Sequence, residues 1–360
     1  MTSAEQLGRT ILLMATDLGI SNDEAVKRAL HQPTVVLVAD RQVASTFAGQ
    51  VALTTTAMLL RRSGHQVFVD APDVTLVGFQ PPMMGGTLHE AIHYVADKLI
   101  DGDVISIGCP LLVPDLAFVF GNGNAGVGVR AKRIISVGWS KWSGTLNSWP
   151  IQSHWEDCPN PFGAMTAAAL AAAEVFKISG RILLPISSGA AGFRDVFAPS
   201  QNLHFRLAPE DTPLCAKVEP FDIISAGAVS NAFLFALARI NGITGTGRVF
   251  DADRSDHPNR NRNMLLLPDA VPFPKVDTFV LPIDLNIQPI PRHFDETDLP
   301  SMADHVVVGV DDIPARWMLA KGKPYWMAVG ATSRLRRHQP SRSWGGMTCN
   351  RGHSPSLMRQ

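Results

Sequence analysis

A short β-branched strand followed by a helix and a second strand occurs twice in the chain, and this unit constrains the fold more than any other feature. In the first occurrence, residues 34–39 predict a strand, residues 51–62 a helix and residues 67–70 the next strand. Adjacent parallel strands require a crossover connection, which is usually a helix, so the order predicts a parallel βαβ unit. Strand-like runs at 104–107 and 134–137 extend the same predicted sheet.

The second occurrence begins after residue 215. Residues 221–226 predict a strand, 231–240 a helix and 248–251 another strand. Further strands are predicted at 278–281 and 305–309. The fold class is therefore α/β, with two doubly wound sheets of similar plan in tandem.

The length of 360 residues and the 46% apolar content are sufficient for two buried cores. The predicted organisation follows the chain from the N-terminus: a helical segment at 1–32, a first domain at 33–180, a connection at 181–214, a second domain at 215–333 and a tail at 334–360. An alanine-rich helix at 165–177 closes the first domain.

The tail holds six arginines and no acidic residue, without a hydrophobic period, which is typical of a disordered basic segment. The whole chain has 32 basic and 32 acidic residues, so its net charge gives no reason to expect a nucleic-acid partner. The four cysteines form no C-x-x-C pair, and no leader or membrane-spanning run is evident. These features predict a cytoplasmic protein without a membrane partner.

Candidate site residues begin at the second strand–helix unit. Gly227 lies where a dinucleotide loop carries glycines, although serines stand at the two flanking glycine positions, so a simple tight turn remains an alternative. Asp251 ends the following strand, where a carboxylate can accept hydrogen bonds from ribose hydroxyls or merely cap a surface turn.

A longer motif follows from Asp251. Asp253 comes two residues later, Asn259 six residues after that, Arg262 three later, and Lys275 in a Pro-Lys pair thirteen later. Each cation alone would more often form a surface salt bridge, so the joint spacing carries the interpretation. This set resembles the motif of the ThiF/MoeB-type adenylating enzymes, the superfamily that includes the ubiquitin-activating enzymes.

The resemblance implies two Rossmann-like domains and an ATP site. Carried over, Asp251 would hold ribose, Asn259 and Arg262 would reach the phosphates, and Lys275 would act on the triphosphate. A later strand running into Asp311 resembles the element that supplies the carboxylate associated with Mg²⁺. The implied cofactors are ATP and Mg²⁺, with Arg262, Lys275 and Asp311 as catalytic residues.

The first half resembles the family more faintly. Arg9 matches an arginine that enters a partner's ATP site, and residues 160–163 resemble the start of the closing helix. The loop at 40–45 lacks glycines, and no Asn-Arg-Lys set follows Asp70. The resemblance therefore implies an inactive first half and an active second half that form a pseudo-dimer within one chain, with further homo-oligomerisation left open.

The function implied by the resemblance is activation of the C-terminal carboxylate of a small ubiquitin-like or sulfur-carrier protein ending in glycine. Two alternatives remain open from the sequence: a non-catalytic binding scaffold, because the glycine loop is degenerate, and an NAD-dependent oxidoreductase, which would leave Arg262 and Lys275 unexplained. Cys215 and Cys349 are candidate acceptor thiols, but an inert cysteine is the more common role for each.

Overall fold

A computed structural model describes residues 3–83, 85–99, 105–121, 128–310 and 312–330. The basic tail predicted at 334–360 and the candidate residues Asp311 and Cys349 lie outside these ranges. Within them, no helix has both the length and the apolar character needed to cross a lipid bilayer.

The first half contains six helices and seven strands in the described ranges. In chain order they are α1 (Ser3–Leu18), α2 (Asp23–His31), β1 (Thr34–Ala39), α3 (Arg41–Ala44), α4 (Phe47–Arg62), β2 (Gln66–Asp70), α5 (Leu88–Leu99), β3 (Ser106–Ile107), β4 (Leu116–Phe120), β5 (Ile134–Trp139), β6 (Ser143–Ser148), α6 (Phe162–Leu183) and β7 (Asn202–Arg206). The sheet order is β3-β2-β1-β4-β5-β6-β7, parallel through β5 and antiparallel at β6 and β7.

The second half has a smaller, fully parallel sheet. Its elements are β8 (Phe221–Ile224), α7 (Ala228–Leu237), β9 (Gly245–Phe250), β10 (Leu285–Ile290), β11 (His305–Val308), α8 (Ile313–Lys321) and β12 (Trp326–Val329). The strand order is β10-β9-β8-β11-β12. The predicted α/β fold with two Rossmann-like sheets in tandem is confirmed.

The order of each sheet reverses between two strands that are not consecutive in the chain. In the second sheet, β9 and β10 lie on one side of β8, and β11 and β12 lie on the other. In open α/β sheets, ligands bind in the crevice that forms beyond the carboxyl ends of strands at such a reversal. The crevice between β8 and β11 is therefore the place in the second half where a ligand site is expected.

One predicted strand is wrong, and the sequence pattern does not predict β4, β6, β7, β10 and β12. Residues 278–281 are not a strand: a 3-10 helix covers Lys275–Phe279, with Val276 and Phe279 buried one turn apart. The strand is β10, which the sequence pattern hid because Pro289 interrupts it; a proline is tolerated there since β10 lies at the sheet edge.

The segment at 185–213, interpreted as a connection, also contains regular structure. It holds β7, which pairs antiparallel with β6. Four of the five β7 residues are exposed, so the strand has no buried stripe for a sequence pattern to reveal. The predicted N-terminal helical segment comprises two helices, because Gly19 adopts a left-handed conformation (φ +62°) directly after α1.

The two halves share a core. Met58, Met83 and Ala91 of the first half are buried in one apolar cluster with the side chains that line the second sheet, among them Ile223 and Leu234. This continuity places the two halves in direct contact. A separate contact joins α1 to the carboxyl end of the second sheet, where Asn261 Nδ2 donates to Thr10 Oγ1 at 3.0 Å.

Candidate nucleotide site at the carboxyl end of the second sheet

A cavity of about 790 Å³ opens where β8, β9 and β11 end. Its size falls within the roughly 300–1,000 Å³ of small-molecule sites. The wall next to β8 is Ile224 and Ser225, and the wall next to β11 is Gly309 and Val310. The cavity therefore lies at the order reversal of the second sheet, where an α/β fold positions a ligand.

Six of the sequence-predicted site residues line this one cavity. They are Arg9, Gly227, Asp251, Asp253, Arg262 and Lys275. Asn259 does not line it, and Asp311 lies outside the described residues. Asp312, the next residue, contacts the cavity, but its Oδ2 accepts from the Ala315 N–H at 2.8 Å and so caps α8.

The loop between β8 and α7 forms the floor of the cavity. Ser225 has a positive φ of 80°, which is the conformation that a glycine adopts readily and other residues rarely. Gly227 is the N-cap residue of α7, and no side chain caps the helix. The first N–H groups of α7 thus face the cavity without a capping side chain, which is favourable for an anion.

Asp251 holds this loop in place. Its Oδ2 accepts from the Ala226 N–H at 2.7 Å and from the Ser225 hydroxyl at 3.3 Å, and its Oδ1 accepts from the Asp253 N–H at 2.8 Å. The residue is only 7% exposed. With three of its acceptor sites occupied inside the protein, Asp251 is a structural part of the loop and has limited capacity for a ribose hydroxyl.

Lys275 is fixed at the edge of the cavity by Asp253. Its Nζ donates to Asp253 Oδ2 at 2.6 Å, and its backbone N–H donates to the Asp253 carbonyl at 3.0 Å. The Asp253 side chain is 62% exposed, so the ion pair adds little stability. The pair instead orients an ammonium group that can turn toward an entering anion.

Two arginines from opposite halves approach each other at the cavity. Arg9 comes from α1 and Arg262 from the loop after β9, and neither lies within ion-pair distance of a carboxylate in the described part of the chain. Partial burial, and secondarily the charge of Arg9, lower the pKa of Arg262. Such a pair of like charges is repulsive unless an anion lies between them, which favours a phosphate-bearing ligand.

Asn259, the amide predicted to reach the phosphates, does not line the cavity in the structure. Asn259 Oδ1 accepts from the Asp256 N–H at 3.2 Å and closes a capping box of the short 3-10 helix His257–Asn259. Asn261 lines the cavity instead, and its Oδ1 accepts from Arg262 Nη1 at 3.3 Å. The sequence holds three asparagines within five positions, so spacing alone could not distinguish them.

An activated thiol has a lowered pKa, but Cys109 and Cys158 both have raised ones. The hydrogen bond that Cys109 donates to Asp70 raises its pKa to about 11, and burial raises that of Cys158 to about 11. The exposed Cys215 donates to the Lys217 carbonyl at 2.9 Å. A site of three or more His, Cys, Asp or Glu ligands for a metal is likewise not found in the described ranges.

Comparison with known proteins identifies a family model in the first half. Residues 34–198, less than half of the chain, match the model described as the BilD N-terminal domain. No curated protein matches the chain.

Solved structures show partial likeness. MccB of E. coli with MccA-N7isoASN is 20% identical, with 31% of this chain and 35% of that chain covered and a TM-score of 0.25. PaaA is 20% identical, with 31% of this chain and 37% of that chain covered and a TM-score of 0.25. MccB of E. coli with succinimide gives 15% identity, coverage of 49% and 64% and a TM-score of 0.37. The chain spans about a third of the first two, and at these TM-scores the alignments carry no argument about its site.

Proposed function

We propose that this chain is an ATP-dependent adenylyltransferase that activates the C-terminal carboxylate of a small ubiquitin-like or sulfur-carrier protein ending in glycine. The observation that carries the proposal is the convergence of Arg9 and Arg262 at the uncapped N-terminus of α7, where neither pairs with a carboxylate of the described residues. This arrangement favours a polyanion at the position where an α/β sheet binds nucleotides.

In the proposed reaction, a carboxylate oxygen of the carrier attacks the α-phosphorus of ATP, the bond to the bridging oxygen breaks, and pyrophosphate leaves. The attack brings two anions together, so the site must neutralise charge and hold both groups in line. Arg9, Arg262 and the α7 N–H groups would bind the triphosphate, and Lys275 would follow the charge that develops on the leaving pyrophosphate.

Mg²⁺ would neutralise phosphate oxygens, and a site that holds it through one carboxylate and the substrate is ordinary for this ion. Asp311 stays the proposed ligand. Among the described residues, Asp312 contacts the same cavity and Asp253 carries an exposed carboxylate. Neither belongs to a complete set of protein ligands, so the ion would enter with the nucleotide.

The first half is proposed to be inactive. In the first sheet the strand order reverses between β1 and β4. There Asp40 caps α3 by accepting from the Val43 N–H, and the Val43 side chain is fully buried. Val43 packs directly on Gly121: a Cβ at that glycine would lie 2.1 Å from Val43 Cγ2. At the corresponding place in the first half, where the proposed ligand would bind in the second, a side chain fills the space.

The proposal is tested by titrating Mg·ATP into the purified protein by calorimetry and by measuring exchange of labelled pyrophosphate into ATP with a glycine-terminated ubiquitin-like protein. Arg262→Met and Lys275→Met should each lower exchange by about 10²–10³-fold, the typical cost of removing one preorganised charge. Arg254→Met is the matched control, because Arg254 lies on the same loop, is exposed, and donates to the Pro272 carbonyl at 2.8 Å.

Undiminished exchange in both cavity variants would remove the proposed roles. The second candidate, a non-catalytic scaffold, is favoured by the engaged Asp251 carboxylate and predicts no saturable Mg·ATP signal. An NAD-dependent oxidoreductase would instead bind NAD⁺ in the same titration, with no need for Lys275.

A further inference from the structure

We propose that Arg62, in the first half, is a positioning residue that fixes the loop presenting Arg262 to the nucleotide. The proposal rests on the proposed function, since it assigns the first half a task in the active site of the second. It concerns a residue that does not line the cavity and that acts through the backbone of another element.

Arg62 ends α4 and is 1% exposed. Within the described residues, its guanidinium donates to backbone carbonyls of the other half: Nη1 to Arg260, and Nη2 to Met264 at 3.0 Å and to Leu266 at 3.4 Å. A guanidinium presents its donors in a rigid planar fork, so three acceptors in that fork define the path of the chain that carries them.

The three carbonyls flank Arg262 in the chain. The same loop is attached on its other sides, because the Leu265 N–H donates to Asn231 Oδ1 of α7 at 2.7 Å and Asn261 donates to Thr10 of α1. Arg62 thus holds the base of the loop, α7 holds its inner side, and α1 holds the side from which Arg9 enters. The two arginines of the cavity are set against each other by contacts between the halves.

The hydrogen bonds to the loop explain why a buried arginine stands here. No carboxylate accompanies Arg62 in the described residues, and burial together with the charge of Arg260 lowers its pKa to about 9. An apolar side chain would fill the same space without this desolvation penalty. What it could not do is satisfy three buried carbonyls at once and thereby hold the loop in one conformation.

Arg239 provides a control for the test. It is as buried as Arg62, but its Nη1 donates to the Phe235 carbonyl at 2.9 Å, one turn back along its own segment of the second half. Arg239→Gln and Arg62→Gln each replace a buried guanidinium, and Arg62→Gln removes the donors to the loop carbonyls. Arg62→Gln should therefore change the loop and the binding of its ligand, and Arg239→Gln should change neither.

The experiment measures Mg·ATP affinity by calorimetry and amide hydrogen exchange of the 256–267 segment by mass spectrometry, in the full chain. Arg62→Gln should weaken Mg·ATP binding about ten- to a hundredfold and accelerate exchange in that segment, with Arg239→Gln close to wild type in both. Arg62→Lys, which keeps a charge but not the fork, should fall between the two.

The outcomes separate this proposal from the proposed function. If wild type binds Mg·ATP and Arg62→Gln binds it equally well, the positioning role is overturned and the enzyme proposal stands. If wild type does not bind Mg·ATP, the enzyme proposal fails, and exchange in the loop decides the positioning role alone. Equal exchange in the two glutamine variants would overturn it, whereas faster exchange only in Arg62→Gln would support it.

Discussion

Ser225 shows how a single residue can depart from a motif and keep its geometry. It stands where a dinucleotide loop carries its first glycine, and it adopts the positive φ that the glycine would adopt. A side chain in this conformation costs roughly 1–2 kcal/mol. Its hydroxyl recovers part of that cost by donating to Asp251 and by accepting the Gly227 N–H at 3.2 Å.

This balance predicts different outcomes for two substitutions at one position. Ser225→Ala and Ser225→Gly lose the same hydrogen bonds, but only glycine relieves the backbone. We expect the glycine variant to be more stable than the alanine variant by about 1 kcal/mol in urea unfolding. Equal stability of the two variants would show that the positive φ carries no cost at this site.

His65 supplies a prediction about pH. Burial, reinforced by the nearby His31 and Arg61 charges and opposed by its bond to the Leu30 carbonyl, lowers the pKa of His65 to about 4. Its Nδ1 lies 2.7 Å from that carbonyl and donates to it, which fixes the neutral tautomer.

Because the folded-state pKa lies below the ordinary value of about 6.5, protonation opposes folding. The stability linked to His65 is therefore complete above pH 6.5 and is lost as the pH falls toward 4. We expect wild type to lose about 2 kcal/mol more than His65→Gln between pH 7 and pH 5, measured by urea unfolding at each pH. A parallel decline in both proteins would contradict this.

At the scale of elements, the sequence predicted some buried strands, such as β1, and missed others, such as β4, in which all five residues are buried. β1 is a continuous β-branched run with five of six residues buried, so its composition identifies it. β7 and β10 lie at sheet edges: four of the five β7 residues are exposed, and the alternation of buried and exposed residues in β10 covers only four positions before Pro289. Pairing with an inner strand, which no local pattern records, makes them strands.

The candidate site divides in the same way. The motif resemblance predicted Arg262 and Lys275 as site residues, and both line the cavity. The resemblance could not identify Arg62, whose acceptor at Arg260 lies 198 positions away and offers only a backbone carbonyl. Contacts to the backbone leave no mark on the residue type of the acceptor, so tertiary structure alone reveals them.

The contact between β6 and α6 leads to a prediction about packing. At Gly144 a Cβ would lie 2.3 Å from the Ala167 backbone nitrogen, so the strand and helix backbones meet without a side chain between them. Gly144→Ala should force them apart and destabilise the protein by about 1–3 kcal/mol. Gly8→Ala, inside α1 with nothing within 4 Å of the new Cβ, should instead stabilise by about 0.5–1 kcal/mol.

Thermal or urea unfolding of the two alanine variants checks this pair. The opposite signs are the critical outcome, since the covalent change is identical and only the surroundings differ. If both substitutions stabilised the protein, the helix and strand would have to separate without cost, and the close approach at Gly144 would not limit the packing of the first half.

At the scale of the whole molecule, the shared core implies that the two halves unfold together. Met58 lies on α4, which belongs to the first half, but it is 1% exposed in the cluster that covers the second sheet. Met58→Ala should cost about 2–5 kcal/mol through lost burial and the remaining cavity. Since that cluster joins both halves, the loss should reach both sheets.

Amide hydrogen exchange can show where the loss is felt. We expect Met58→Ala to accelerate exchange in β4 of the first sheet and in β8 of the second by similar factors, because a cooperative unit loses protection throughout. Leu37→Ala is the comparison: its side chain is fully buried in the first-half cluster alone, yet joint unfolding should expose β8 in that variant as well. Acceleration confined to β4 in Leu37→Ala would mean that the second sheet folds independently, and Arg62 would then connect two separate units instead of parts of one.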